Sequence, residues 1–147
     1  MGADENLRVI ENEMKAFNAH DWSAYLRCFA ESVVTYEPDE SEPIRGREAL
    51  RKRLAAYLAA FPDVRLQEER LFGDDEWVCL NSLFIGTHRG DLPGPGGVTI
   101  KSTGRKVSVH GCSVFRLAGG VITEFIGYYD QIELLSQLGM VIRPLTR

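Results

Sequence analysis

The sequence lacks the features that mark several large classes of protein. No uninterrupted apolar run approaches the roughly 18 residues that a membrane-spanning helix needs. The formal net charge of −4 leaves no excess of basic residues to attract nucleic acid. The N-terminal segment, residues 2–6, is acidic and polar and does not resemble a secretory signal. We therefore expect a cytoplasmic protein that binds neither nucleic acid nor membrane.

Cysteine and histidine are also scarce, with three residues of each type. Cys28, Cys79 and Cys112 are widely separated and each lies in an apolar run, which favours buried free thiols over a disulfide framework. The histidines show no metal-ligand spacing. The sequence therefore predicts no metal site and no cofactor.

What remains is the composition of an ordinary globular domain. Hydrophobic residues make up 44% of the chain and charged residues 26%. A chain of 147 residues is long enough to bury a core of its own, and no repeat or linker divides it. We interpret residues 1–147 as a single domain.

Two helices are predicted at the start of the chain. Apolar residues at helical spacing indicate a helix that ends at about Asn18 and is capped by Asp4 or Asn6. Asp21 is a suitable N-cap for a short second helix that carries Trp22.

A short strand and a third helix follow. Residues 33–37 read as extended and end at Pro38, and residues 47–60 have the pattern of an amphipathic helix with Tyr57 on its apolar side. Its opposite side is basic, and we expect that side to be solvated. The basic residues are Arg47, Arg51, Lys52 and Arg53.

The second half of the chain has the pattern of an antiparallel sheet. A Gly- and Pro-rich loop interrupts it, a Gly-rich turn joins its last two strands, and a short helix stopped by Gly139 closes it. The predicted strands are 64–72, 77–88, 106–117 and 121–129, the loop is 89–97, and the helix is 131–138. This order predicts an α+β fold in which three N-terminal helices pack on a curved antiparallel sheet, forming a cone with a small-molecule cavity.

Four segments of the chain resemble the SnoaL-like polyketide cyclases. The segments are the hairpin VFRLAGGVITE (114–124), the tail DQIELLSQLG (130–139), GTHRG (86–90) and AFNAHD (16–21). The resemblance covers nearly the whole chain and implies the cone fold of the nuclear-transport-factor-two-like superfamily. That superfamily also contains ketosteroid isomerase, scytalone dehydratase and limonene epoxide hydrolase.

The resemblance also implies positions for catalytic residues. The acid/base aspartate of SnoaL-like cyclases falls at Gly127, and their histidine on the preceding strand falls at Ser113. Ketosteroid isomerase is similar around residues 36–43, where its catalytic base matches Glu37. Its oxyanion-hole tyrosine falls at Glu13 and its protonated aspartic acid at Ser113. This chain therefore lacks most of the expected side chains and keeps one carboxylate, Glu37.

We predict three catalytic residues. Glu37, followed by Pro38, is expected to point into the cone, where burial would raise its pKa, although it could instead belong to a solvated acidic loop. His110 is the only histidine of the hairpin, but strand alternation turns it away from Ser113 unless Gly111 forms a bulge. Asp130 is either catalytic or the N-cap of the last helix.

Six further residues are predicted to contact the substrate. Glu13 borders the apolar stripe of the first helix, so that two carboxyls of different burial, Glu13 and Glu37, could divide the acid and base roles. The others are aromatic or polar residues at the predicted cavity wall or mouth. The full set is Glu13, Trp22, Tyr57, His88, Ser113 and Tyr129.

These observations favour a cofactor-free acid/base enzyme acting on a hydrophobic polyketide-like or polycyclic small molecule. Proton abstraction next to a carbonyl would lead to cyclisation, isomerisation or elimination. The alternatives are a non-catalytic small-molecule-binding module of the same fold, or an enzyme that opens epoxides or rings with relocated carboxylates. A third possibility is an oligomerisation module that uses the outer face of the sheet. A homodimer is expected, and an exposed apolar patch on that face would support it.

Overall fold

The computed structural model describes residues 2–146 and confirms the predicted α+β architecture. The helices are α1 (Ala3–Asn18), α2 (Trp22–Arg27), α3 (Arg47–Ala60) and α4 (Gln131–Gln137). The strands are β1 (Phe29–Tyr36), β2 (Ile44–Arg45), β3 (Arg65–Gly73), β4 (Trp77–Thr87), β5 (Leu92–Pro93), β6 (Thr99–Ile100), β7 (Lys106–Ala118) and β8 (Val121–Tyr129). Within the described residues, no helix is both long enough and apolar enough to cross a membrane.

Six strands form one curved, unclosed sheet in the order β2-β1-β8-β7-β4-β3. Neighbouring strands are antiparallel except β1 and β8, which run parallel. The parallel pair brings the end of β1, where Thr35 lies opposite Phe125, beside the last strand of the chain. This pairing delivers Glu37 to the region that β8 occupies.

The long hairpin β7–β8 owes its tight turn to two glycines. Gly119 and Gly120 have φ angles of 59° and 83°, which residues with a Cβ rarely adopt, and this suits a two-residue hairpin turn. Along β7, buried residues such as Val107, Val109 and Phe115 alternate with exposed ones. One face of the sheet is therefore packed against the helices and the other is left outside.

The helix N-termini partly match the prediction. Asp21 accepts a hydrogen bond from the backbone nitrogen of Ala24 at 3.1 Å, so its role as the N-cap of α2 is confirmed. The predicted cap of α1 is wrong, because α1 begins after Gly2 and has no side-chain cap. Asp4 lies in the first turn, and the buried amide of Asn6 donates to the carbonyl of Asp74 instead.

The Gly- and Pro-rich segment is more ordered than a plain loop. Within it, Leu92 pairs with Ile100 in a small two-stranded ladder, β5–β6, and both side chains are buried. The segment lies close to α3, since the backbone nitrogens of Arg89 and Gly90 donate to the carbonyl of Ala60. It therefore forms a wall beside α3.

The cysteines are free thiols, as predicted, but they are half-buried and not fully buried. Cys79 and Cys112 lie on the outer face of β4 and β7, with their sulfur atoms 3.4 Å apart. Burial raises the pKa of Cys79 to about 11, so this thiol stays protonated at neutral pH.

Candidate active site

A cavity of about 170 Å³ lies between the helices and the inner face of the sheet. Its walls are mainly apolar, with contributions from Phe17, Leu54, Leu80, Phe84 and Phe115. A small number of polar side chains also line it. They include Glu13, Glu37, Arg53, Tyr57, Ser113 and Tyr129. A concave, mainly apolar space with a few polar groups is the usual form of a small-molecule site.

Glu13 is buried among the apolar residues of α1. It shares the inward face of the helix with Ile10 and Phe17, because positions three and four apart lie on one side. Only 3% of Glu13 is exposed, and its Oε2 atom has no hydrogen-bond partner among residues 2–146. Burial raises the pKa of Glu13 to about 8, so its carboxyl is mostly protonated at neutral pH.

Glu37 lies on the same cavity but in a different environment. Its side chain is 12% exposed, and its Oε2 accepts a hydrogen bond from Arg53 at 2.7 Å and a longer one from the Tyr57 hydroxyl at 3.5 Å. Burial raises the pKa of Glu37, while the hydrogen bond and positive charge of Arg53 oppose the rise. Glu37 therefore belongs to the cavity wall and not to a solvated loop.

Arg53 joins three carboxylates at the mouth of the cavity. Besides Glu37, it donates to Asp39 at 2.5 Å and to Glu40 at 2.9 Å. Burial lowers the pKa of Arg53, but hydrogen bonds to Glu37 and Asp39 outweigh it, so the net pKa is raised and the guanidinium stays charged. The prediction that Arg53 belongs to a solvated helix face is wrong, since only 13% of its side chain is exposed.

The sequence nevertheless carried a signal for Arg53. It precedes Tyr57 by four residues, so the two share one side of α3, and Tyr57 was placed on the apolar side. In the structure the Arg53 guanidinium lies 5.0 Å from the centre of the Tyr57 ring and donates to its hydroxyl at 2.8 Å. An arginine on an apolar helix side is costly unless it is paired, and this points to a buried ion pair.

Tyrosines complete the polar part of the cavity. Burial, followed by the charge of Glu37, raises the pKa of Tyr57, and burial raises that of Tyr129. Both phenols are therefore neutral and available as hydrogen-bond donors. Tyr25, which sequence reasoning missed, also lines the cavity, and burial together with the charges of Glu13 and Glu37 raises its pKa. The influence of both carboxyls on Tyr25 indicates that they face a common space.

His110 lies outside the cavity. Its side chain is 62% exposed, and its Nδ1 atom is 2.9 Å from a carboxylate oxygen of Glu133 on the outer side of the sheet. The register of β7 is continuous through Gly111, which pairs with Ser82 and Tyr129, so no bulge turns the histidine inward. Strand alternation thus directs His110, predicted to be catalytic, away from this cavity, while Ser113 and Tyr129 do line it.

Asp130 is an N-cap and does not line the cavity. Its Oδ1 accepts a hydrogen bond from the backbone nitrogen of Glu133 at 2.9 Å, which satisfies an otherwise free donor at the start of α4. Two roles were predicted for Asp130. The structure supports the role of helix cap, and the Asp130 side chain lies outside the cavity, whereas a catalytic role would need it inside.

Trp22 and His88 are core residues and not cavity residues. Trp22 packs edge-on against Phe17 with ring centres 5.3 Å apart. His88 is fully buried, its Nδ1 lies 2.9 Å from the Thr103 hydroxyl, and its ring packs against Phe61. His88 was predicted to contact substrate because it ends a strand beside the Gly- and Pro-rich loop, and Trp22 because an aromatic ring could stack on a substrate. Tertiary packing instead buries His88 and packs Trp22, partly buried, against the core.

Gly127 leaves space beside Glu37. A Cβ atom built on Gly127 would lie 4.0 Å from the carboxyl carbon of Glu37 and 3.1 Å from the Phe125 ring. The carboxyl of Glu37 thus lies close to where a side chain at position 127 would begin. Across residues 2–146, no three His, Cys, Asp or Glu side chains are grouped so as to hold a metal ion.

Comparison with known proteins assigns the family. Residues 8–138 match the SnoaL-like polyketide cyclases, which is most of the chain. The chain belongs to the SnoaL-like polyketide cyclase family. No curated protein matches this SnoaL-like chain.

Solved structures show the same fold. AclR of Streptomyces galilaeus, proposed to be a hydroxylase, is 25% identical with a TM-score of 0.78 over 93% of this chain and 97% of its own. IdmH of Streptomyces antibioticus, proposed to be a polyketide cyclase, is 24% identical with a TM-score of 0.78, and the match covers 92% of this chain and 99% of IdmH. A SnoaL-like polyketide cyclase candidate from Jannaschia sp. CCS1 is 18% identical with a TM-score of 0.81 over 92% of each chain. This SnoaL-like chain therefore has the small-molecule-binding fold of its family.

Proposed function

We propose that this SnoaL-like protein is a cofactor-free acid/base enzyme that abstracts a proton next to a carbonyl group in a hydrophobic small molecule. The outcome would be cyclisation, isomerisation or elimination. One observation carries the proposal: a protonated carboxyl, Glu13, and an ion-paired carboxylate, Glu37, line one apolar cavity. Two carboxyls held in different environments can divide the acid and base roles.

Glu37 is the proposed base. Burial raises the pKa of Glu37, which makes its carboxylate a stronger base, while the ion pair with Arg53 favours the carboxylate form. Glu37 also lies beside Gly127, where the family resemblance places an aspartate. We infer that the carboxylate function has moved from β8 to the end of β1, where it reaches the same space.

Glu13 is the proposed acid. As Glu37 takes the proton from carbon, negative charge develops on the carbonyl oxygen, and a neutral carboxyl can donate a hydrogen bond or a proton to that oxygen. The unpartnered Oε2 of Glu13 supports this role, because the deep wall of the cavity offers it no other partner. The neutral hydroxyls of Tyr57 and Tyr129 would orient the substrate.

A non-catalytic binding role is the second candidate. The observation in its favour is that Glu37 is already engaged by Arg53 and Tyr57, whose hydrogen bonds oppose the rise in its pKa and occupy one of its carboxylate oxygens. Such a protein would bind a ligand in the apolar cavity without turning it over.

An exchange experiment separates the two candidates without knowledge of the natural substrate. Cyclohexanone is small enough for the cavity, and catalysed exchange of its α-hydrogens in D₂O can be followed by proton NMR. We expect exchange above the buffer rate, a loss of about 100-fold or more in Glu37→Gln, and a loss in Glu13→Gln. Glu11→Gln, an exposed glutamate on the same helix, is the control. Binding of cyclohexanone with no exchange above buffer would favour the binding role.

We also propose that the protein is a cytoplasmic homodimer. Three free thiols suit a reducing compartment. Phe72 and Tyr128 lie on the outer face of the sheet with 58% and 60% of their surface exposed, which suits a contact between two copies. Sedimentation equilibrium of the wild type and of Phe72→Asp would test the dimer, since a monomeric wild type would contradict it.

A further inference from the structure

The cavity adjoins a second and larger space. A groove of about 780 Å³ lies between α3, the β5–β6 ladder and the start of α4. Cavity and groove share four lining residues, and these form the boundary between the two spaces. The shared residues are Arg53, Tyr57, Tyr129 and Leu134. The two spaces therefore adjoin at these side chains, and a molecule that occupies both has to extend past the Tyr57 and Tyr129 pair.

The inner cavity limits what can react beside the two carboxyls. A cavity of about 150 Å³ in another protein binds a single benzene ring. The inner cavity, at about 170 Å³, thus accommodates one ring with short substituents and not three or four fused rings. The larger part of any bigger substrate has to lie elsewhere.

The lining of the groove suits the part of a larger substrate that lies outside the inner cavity. Leu92 and Ile100 of the β5–β6 ladder face Ala56 of α3 across it, and Leu135 of α4 extends this apolar wall. Lys52 and Gln131 also line the groove and add polar groups. A mainly apolar substituent of the substrate would contact apolar side chains along the groove, and polar side chains would lie close to it.

We propose that the substrate has two parts: a single reactive ring held in the inner cavity and an extended, mainly apolar substituent that lies in the adjoining groove, beyond the boundary formed by Arg53, Tyr57, Tyr129 and Leu134. The inference rests on the proposed function for the inner cavity and adds the substrate class. It replaces the expectation of a compact polycyclic substrate with that of a ring bearing a chain.

Two neighbouring alanines of α3 provide a matched test. Ala56 is exposed and lines the groove, whereas Ala55 is exposed and does not line it. Trp at position 56 would fill the groove without entering the inner cavity, and Trp at 55 would add the same bulk elsewhere. The probes are 4-methylphenol, which fits the inner cavity, and 4-hexylphenol, whose chain needs the groove. Affinities are measured by isothermal titration calorimetry, and sedimentation equilibrium follows the oligomeric state.

We expect Ala56→Trp to weaken 4-hexylphenol binding by about tenfold or more, because several methylene groups lose their apolar contacts, and to leave 4-methylphenol unchanged. Ala55→Trp should change neither affinity. Equal affinity of the wild type and Ala56→Trp for 4-hexylphenol would overturn the inference. If Ala56→Trp changed the oligomeric state but not this affinity, the groove would be a contact between two copies and the inference would also be wrong. If 4-methylphenol fails to bind the wild type, the inner site and the proposed function fail with it.

Discussion

The carboxyl carbon of Glu37 lies 4.0 Å from the point that a Cβ atom at Gly127 would occupy. The two residues come from β8 and from the segment after β1, which the parallel β1–β8 pairing brings together. A carboxylate from either position therefore reaches the same part of the cavity. The relationship predicts that the base can be moved between them.

The first prediction is a carboxylate swap. Glu37→Ala should abolish exchange of cyclohexanone α-hydrogens, and adding Gly127→Asp should restore it by about tenfold, because an Asp at 127 places a base in the vacated space. The Phe125 ring has to shift by a few tenths of an ångström to admit the new Cβ. Gly127→Asn in the same background has the same size without a base. Equal rescue by Asn would show that the effect is one of packing.

The second prediction concerns Glu13 and pH. Its pKa is 4.5 in its ordinary state and about 8 in the folded protein, so the folded state keeps a proton that the unfolded state releases between these values. The free energy of unfolding therefore falls as pH rises from about 4.5 to about 8, by on the order of 5 kcal/mol. Glu13→Gln, neutral and of similar size, should lose this dependence.

The measurement is Tm at about pH 5 and about pH 9 for both proteins. The wild type should lose more stability than Glu13→Gln over that range, and the variant should be the more stable of the two at the higher pH. Glu11→Gln, exposed on the same helix, should follow the wild type. Parallel curves for the wild type and Glu13→Gln would mean that Glu13 does not retain its proton.

The third prediction concerns Arg53. Arg53→Gln leaves Glu37, Asp39 and Glu40 without their shared cation, which should destabilise the protein by roughly 3 kcal/mol. The pKa of Glu37 should rise further, so the low-pH limb of the exchange rate should move to higher pH. Arg51→Gln removes an exposed arginine of α3 and should change the pH profile little. If the pH profile of the exchange rate did not shift in Arg53→Gln, Arg53 would not control the pKa of the catalytic base.

The fourth prediction concerns residues that lie outside the cavity. His110→Ala should leave the exchange rate unchanged, because the imidazole pairs with Glu133 on the outer side of the sheet. Asp130→Ala should lower stability by about 1 kcal/mol through loss of the α4 cap and leave the exchange rate close to that of the wild type. A loss of 100-fold in His110→Ala, with stability intact, would return His110 to the catalytic candidates.

Local sequence patterns determined much of this fold. The helix over residues 47–60 was predicted with its observed bounds, and the hairpin was predicted nearly to its ends, because side-chain periodicity and turn glycines act within a few residues. Strand alternation also predicted that Ser113 and His110 lie on opposite faces unless Gly111 forms a bulge, and the structure has Ser113 at the cavity and His110 outside it. These features depend only on neighbours along the chain.

Only the tertiary structure decided how the polar groups meet. Arg53 and Glu37 are 16 residues apart, and whether Arg53 faces solvent or three carboxylates depends on how α3 lies against the end of β1. The burial of Glu13 depends in the same way on what covers α1, and the parallel β1–β8 pair joins strands from opposite ends of the chain. Periodicity identifies the face of an element, but the partner of that face is set by long-range packing, and the chemistry of this cavity resides in those partners.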